Sequence, residues 1–451
     1  MFKSTLCAYC RQLAHTLSLL LFFVVLVHSA KADDYRIYVG PKGSPAYAHA
    51  QTLENDQTIF AERTLHRALT KAAELLNQSG SHTVFVAAAA GSYKGKAKQG
   101  IWVVPQITNS EARLYIVGGF NDDFSGRQPF AHLTALTTIE GRNGALLQFS
   151  KRTQLKKLVV SGFLFDAAPS NAYDSETNSI KKGQSRSYPM MTLTQLKTPH
   201  LVIDSNIFIN GAHGTVDPFI GAVGQSVVDI TNNFFINNIK MMKPAASSAN
   251  VAINLRHNSF IMNWPFNPDP TSSNVSALEL YHSGGMSKLT IEDNLFAYNP
   301  GGAMQHDWPE DRMPDMAINN NLFYMNAGLF GDGDPGAGVI AGKLGHNPKY
   351  LIMDLETLED DFDYEVNGNV SMDPKVPVAL ADLQAADSYS VDRKSTVLND
   401  VRRLFGLNQD GGTVAIANYA PALVFNPQAL SLPQNEAAKK YGVQPNKLWQ
   451  P

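Results

Sequence analysis

Two neighbouring stretches carry side chains of the kind that move protons. "ALELYHSGG" (277–285) supplies Glu279, Tyr281 and His282, and "MQHDWPEDR" (304–312) supplies His306, Asp307 and Trp308. Upstream stand Arg256 and the loop residues His213, Lys240 and Lys243. A neutral His accepts a proton near pH 7, because its unperturbed pKa of about 6.5 leaves it mostly unprotonated there. A guanidinium holds a carboxylate through two parallel hydrogen bonds, a geometry that Lys does not copy. A base beside a cation is what removal of a proton next to a carboxylate requires, with Arg or a carboxylate-bound Ca²⁺ stabilising the charge that develops. Trp308 and Trp264 offer flat faces on which a ring can stack. Singly, each residue also reads as a solvated loop side chain. Arg256 has a second reading, as the partner of Glu292 in a surface ion pair worth under about 1 kcal/mol.

These residues are spread over about a hundred positions, so they converge only if the chain returns to the same place repeatedly. A repeat of that kind is visible. Asn-x-Phe occurs at Asn206–Phe208, Asn233–Phe235, Asn258–Phe260, Asn294–Phe296 and Asn321–Phe323, in steps of 27, 25, 36 and 27 residues. Three residues before each Asn stands Ile203, Ile230, Leu255, Ile291 or Ile318, and five before it Leu201, Val228, Ile253, Leu289 or Met316. The internal period of two is that of a strand, and a fixed unit with variable insertions is that of stacked coils with loops of free length. Coils about 4.8 Å apart bury their inward rows against one another. The Asn is expected at a corner, where it tolerates left-handed backbone angles, and its amide is expected to bond the next rung. The Phe is expected in the interior. Positions two before each Asn then point outward: Asp204, Thr231, Arg256, Glu292 and Asn319. In the upstream stretch, Leu278 and Leu280 inward place Glu279 and Tyr281 outward, with His282 at the rim.

The fold class that follows is all-β: a right-handed parallel β-helix, or solenoid, with an N-terminal capping helix and an irregular C-terminal tail. Parallel crossovers favour the right hand. "ERTLHRALTKAAELL" sets Leu65, Ala68, Leu69, Ala72, Leu75 and Leu76 on one helical face, so a helix within about 58–77 is placed to plug the open end of the stack. The solenoid domain is assigned to residues 33–390, and residues 391–451 to a tail that packs along the outside and ends loosely.

The first 32 residues read as a cleaved secretory signal, with Lys3 and Arg11, the apolar run Leu17–Val27, and Ala30-Lys31-Ala32. This predicts a secreted or periplasmic protein with no transmembrane segment after cleavage. Cys7 and Cys10 leave with the signal, so burial alone holds the fold. Loss of Lys3, Arg11 and Lys31 leaves 34 Lys+Arg against 40 Asp+Glu, net −6, which argues against a nucleic-acid partner. Residues 151–256 are locally basic, at net +5, which suits an acidic glycan. "DGD" (332–334) and "LEDDFDYE" (358–365) are the places where Ca²⁺ can be held.

"IYVGPKGS", "AGSYKG", "GGFNDDFSGRQPF", the Asn-x-Phe coils and the closing "NVSMDPKV", together spanning about 35–376, resemble the pectin-lyase-like right-handed parallel β-helix superfamily. That resemblance implies a β-helix and, among its members, lyases, hydrolases and epimerases of acidic polysaccharides beside surface proteins without chemistry. The catalytic signatures of the pectin-hydrolysing, alginate-epimerising and pectate-cleaving relatives are not present as written: "GAHG" (211–214) interrupts one, and "VDPF" (216–219) shares two letters with another. The expectation is a protein acting on a uronate-containing polysaccharide by lyase or epimerase chemistry. Its catalytic residues are expected among Arg256, Glu279, Tyr281, His282, His306 and Asp307, and its substrate contacts among Trp308, His213, Lys240 and Lys243. The alternative is a non-catalytic β-helix that binds glycan or builds a surface or matrix structure.

Overall fold

The computed structural model describes residues 33–95, 102–137, 145–171, 189–193, 196–212, 214–217, 224–239, 250–261, 263, 277–280, 286–297, 299, 303–306, 315–324, 326, 340–342, 351–353, 364–375, 433–447 and 449. The expected signal segment, 1–32, lies outside them. Among the described residues no helix is long and apolar enough to cross a membrane.

The architecture is a stack of parallel β-sheets, consistent with a β-solenoid. Each coil contributes a strand to an eleven-stranded sheet and then, after a tight corner, one to a nine-stranded sheet; two four-stranded sheets are built from shorter strands. Successive strands of the large sheet include His200–Asp204, Ser226–Thr231, Val251–Arg256, Met286–Glu292 and Asp315–Asn319. Every pairing in the two larger sheets is parallel. Ile203, Ile230, Leu255, Ile291 and Ile318 align strand to strand and are fully buried. Phe165, Phe208, Phe235, Phe260, Phe296 and Phe323 form a second column, their rings 4.7–5.2 Å apart and within 10° of parallel.

The repeated Asn is buried and works through its amide. In the series Asn206, Asn233, Asn258, Asn294, Asn321, Asn369, each Nδ2 before the last donates to the Oδ1 of the next at 3.0–3.1 Å. The same Nδ2 donates to a main-chain carbonyl of the preceding coil, as from Asn258 to Ile230 at 2.8 Å. Each Oδ1 in turn accepts the backbone N–H of the Asn before it. A second ladder, Asn238, Asn263, Asn299, Asn326, repeats the pattern five residues on at 2.7–3.3 Å. The left-handed angle expected at the Asn belongs instead to the residue before it: Ser205, Asn232, His257, Asp293 and Asn320 have φ of 53–56°, continued by Gly162 and Gly368 at +82° and +66°. The corner turns at that residue, which leaves the following Asn free to point inward and bond. At Gly368 a Cβ would lie 2.3 Å from the Asn320 side-chain oxygen, so a larger residue there would have to displace that side chain.

Two helices sit at the N-terminal end, α1 (Pro45–Leu53) and α2 (Leu65–Leu76). Thr64 caps α2 by accepting from the Arg67 N–H, and α2 buries Leu65, Ala68, Leu69, Ala72, Ala73, Leu75 and Leu76. It packs against the first strands of the large sheet and against Trp102–Val104. Asp34–Val39 and Ile59–Glu62 supply the first two strands.

Far from hanging loose, the described part of the tail is a strap laid back along the stack. Gln434 and Asn435 donate to Lys375 and Pro374 carbonyls on the last coil. Gly442 N–H then reaches Asp293 O at 2.8 Å, Val443 N–H reaches Ser259 Oγ at 3.1 Å, and Gln444 N–H reaches Asn232 Oδ1 at 3.0 Å. Trp449 N–H ends on Asp204 Oδ2 at 3.2 Å. The strap thus follows the row of left-handed corners coil by coil, with Tyr441 and Val443 buried under it.

Two outcomes follow for stability. Phe296→Ala removes a ring packed at 4.7 and 5.2 Å between two others and is expected to cost about 3–5 kcal/mol in urea unfolding; a cost below about 1 kcal/mol would mean the column carries no packing. Ending the chain after Lys439 removes Tyr441 and Val443, each worth about 1.5–3 kcal/mol of burial. It is expected to lower the thermal midpoint by roughly 5–10 °C, and an unchanged midpoint would show the strap to be passive.

Candidate functional site

The outward face of the large sheet is organised as strictly as the inward one. One column of register-aligned residues runs Asp34, Thr83, Arg113, Lys157, His200, Val227, Ala252, Lys288, Asp315. The next runs Arg36, Phe85, Tyr115, Val159, Val202, Asp229, Asn254, Thr290, Ala317, and the third Tyr38, Ala87, Val117, Ser161, Asp204, Thr231, Arg256, Glu292, Asn319. Parallel in-register pairing stacks side chains from far-apart sequence positions about 4.8 Å apart. The face has three zones: an aromatic end, a covered strip and a polar centre.

The polar centre is built on Asp229. His200 Nε2 lies 2.9 Å from Asp229 Oδ2, and Asn254 Nδ2 donates to the other oxygen at 2.8 Å. Burial alone raises the Asp229 pKa; the hydrogen bonds from His200 and Asn254, with the charges of His200 and Arg256, outweigh it and hold the carboxyl below its ordinary range. The side chains of His200 and Asp229 keep 38% and 30% of their surface exposed, so the pair is open to a ligand. When His200 Nε2 carries the proton, it donates to Asp229 and leaves the lone pair on Nδ1 to accept another. Arg256 lies in the neighbouring column, its Nε 3.0 Å from Glu292 Oε2, with nearly half its side chain exposed.

The covered strip explains why outward Val117, Val159, Ser161 and Asp204 are buried. Arg127 lies over it, donating to Gly118 O, Ser161 Oγ and Trp449 O, and Asp204 accepts from Ser161, Ser205 and Thr231 besides the Trp449 N–H. Burial draws the Arg127 pKa down to about 10, against the opposing charge of Asp204. Beyond it, Tyr38, Phe85, Tyr115, Phe120 and Phe124 wall a groove of about 420 Å³.

Of the residues expected from sequence, Arg256 stands on this face. Glu279 and His306 belong to a four-stranded sheet instead, on Leu278–Leu280 and Met304–His306. There Glu279 is in register with Gln305, and Leu280 with His306. The backbone therefore does not set Arg256 beside that pair on neighbouring rungs. His213, Lys240, Lys243, Trp264, Tyr281, His282, Asp307 and Trp308 lie outside the described residues, as do 332–334 and 358–363. Among the described residues no group of three or more His, Cys, Asp or Glu is arranged to hold a metal ion. His200, Asp229 and Asn254 are the residues that sequence reasoning missed. They fall six and four positions before the anchor Asn, and extending the repeat alignment upstream by two more outward positions on each coil finds them.

Comparison with known protein families, with curated proteins and with solved structures finds no match to this chain.

His257, at a left-handed corner, carries a pH signature. Its burial lowers its pKa, helped by Lys447 and Arg256 and opposed by Asp293 and Glu292. A group held below its unfolded pKa contributes stability that is complete above the unfolded value and lost as pH falls through the folded one. Stability is therefore expected to fall below pH 6.5 through His257, and again below 3.8 through Asp229. The urea midpoint should drop between pH 7.5 and 5, and His257→Gln should flatten that drop; an identical drop in the variant would remove His257 as its source.

Proposed function

We propose that the polar centre of the large sheet's outward face is where this protein meets an acidic, uronate-containing polysaccharide, and that it acts there by lyase or epimerase chemistry. The observation that carries the reading is the His200–Asp229–Asn254 chain of hydrogen bonds beside Arg256 on an exposed face. In this reading Asp229 orients the imidazole, Arg256 takes the uronate carboxylate, and His200 removes the proton beside it. The electron pair left behind either expels the linked sugar oxygen, which leaves with a proton from solvent as a C=C bond forms, or takes a proton back on the opposite face. The Arg256–Glu292 pair is half-exposed and worth under about 1 kcal/mol, so a substrate carboxylate competes for the guanidinium at little cost. The coil is taken as right-handed, as parallel crossovers favour, in keeping with the sequence resemblance to pectin-lyase-like β-helices. The signal-like first 32 residues support export to the periplasm or medium, where such polymers are met.

The charges in and beside the polar centre are already matched, His200 with Asp229, Arg256 with Glu292, and Lys288 with Asp315 at 3.6 Å. That self-compensation favours the alternative, a non-catalytic β-helix that binds glycan or builds a surface structure. Incubating the protein with pectate, alginate and other uronate polymers separates the two, reading the absorbance of unsaturated ends, chain length and uronate configuration. Activity should appear on one polymer and fall about 10²-fold or more in His200→Ala, while Arg256→Lys should raise KM. Product from His200→Ala at the native rate would discard His200 as the base. Binding without any product would favour the non-catalytic reading.

A further inference from the structure

We propose that the aromatic groove at the N-terminal end of the same face is a second glycan subsite, which takes a pyranose ring of the acidic polymer several units away from the polar centre. The inference rests on the function proposed above. Tyr38 and Tyr115 stand on strands of the large sheet, and Phe120 and Phe124 close the far wall. Tyr38 packs on Phe124 at 4.8 Å, Phe124 on Phe120 at 6.1 Å, and Phe120 against Phe85 at 6.3 Å. All five aromatic residues remain partly exposed, although burying each ring fully would be favourable. A partly exposed aromatic cleft of about 420 Å³ lies within the size range of small-ligand sites.

Three observations choose the occupant. First, one ring face of this wall already holds a flat ring: Trp449 of the strap stacks on Tyr115 at 5.6 Å and 20°. The apolar C–H face of a pyranose suits the same kind of platform, as bases suit aromatic side chains. Second, the groove lining carries a cation, and further basic residues lie between it and the polar centre. Arg36 is exposed in the groove lining, and Arg113 and Lys157 follow in the next column toward His200; Asp34 is the opposing carboxylate. A ring bearing a carboxylate is matched by the aromatic wall and by Arg36 together. Third, groove and polar centre share one column: Tyr115 and Asp229 are three strand spacings apart, about 14 Å. A single polymer lying along the stack spans both by passing over the strip that Arg127 and the strap cover.

The test is chain-length dependence. Size-graded oligogalacturonates and oligoalginates of two to eight units are titrated into the protein by calorimetry. In the native protein affinity should rise at least tenfold from the shortest to the longest oligomer of the series that binds. Phe124→Ala and Arg36→Gln should each remove most of that rise. Trp449 gives an independent reading without disturbing the groove: long oligomers should change its fluorescence, with Trp449→Phe as the blank. A rise that persists in both variants, or a Trp449 signal that ignores long oligomers, would overturn the subsite while leaving the polar centre standing. Binding of no oligomer at any length would overturn the functional reading and the subsite with it. A concentration-dependent dimer in sedimentation that Phe124→Ala dissolves would make the groove an interface between copies and equally overturn the subsite.

Discussion

The structure depends on one interaction, the side-chain amide of a buried Asn that donates to the Asn above it while its oxygen accepts from the backbone below. An unpaired buried amide is costly, and here every donor and acceptor of the ladder is used. The bond lengths leave no slack, so consecutive coils are held in register and at one spacing. A slip of one residue would turn every inward Ile or Phe outward. The ladder therefore fixes what may vary: the steps of 25 to 36 residues between anchors differ only in the loops, while strand, corner and ring column stay constant.

Register has a second consequence on the outside. Because inward residues are pinned, outward ones are pinned with them, and side chains such as His200, Asp229 and Asn254 meet although 54 positions separate the first from the last. The scaffold supplies rigidity to any site built on it, and it holds the His200–Asp229–Asn254 hydrogen bonds in fixed relation. The face is not uniform, since Arg127 and the strap cover the strip between the aromatic groove and the polar centre.

Much of this was legible in the sequence. The inward rows, the Phe column, the Asn ladder and the buried face of α2 all follow from periodicity, because each is a repeated local pattern. The left-handed residue was misplaced by one position. Its side chain varies, Ser205, Asn232, His257, Asp293, Asn320, and only the backbone angle is constant. The polar centre was half visible: Arg256 lies at the outward position nearest the anchor, whereas Asp229 and His200 lie farther upstream and vary from coil to coil. That the tail packs along the outside was legible, but its course over the corners was not, for a different reason. It has no period of its own, and it bonds to corner groups that a residue pattern does not display.

The strap alters the kind of object that the stack is. An array whose coils touch only their neighbours behaves as a chain of weakly linked units and can fray from either end. A segment bonded at Lys375, Asp293, Ser259, Asn232 and Asp204 in turn ties distant coils to one another. Peeling the last coil away then requires loosening a thread that also runs over the first ones, so partial openings are suppressed in favour of whole-molecule unfolding. Proteases attack transiently opened segments, so survival against them is set by how rarely the stack opens. The stitched stack gains its durability there, in time rather than in equilibrium stability alone.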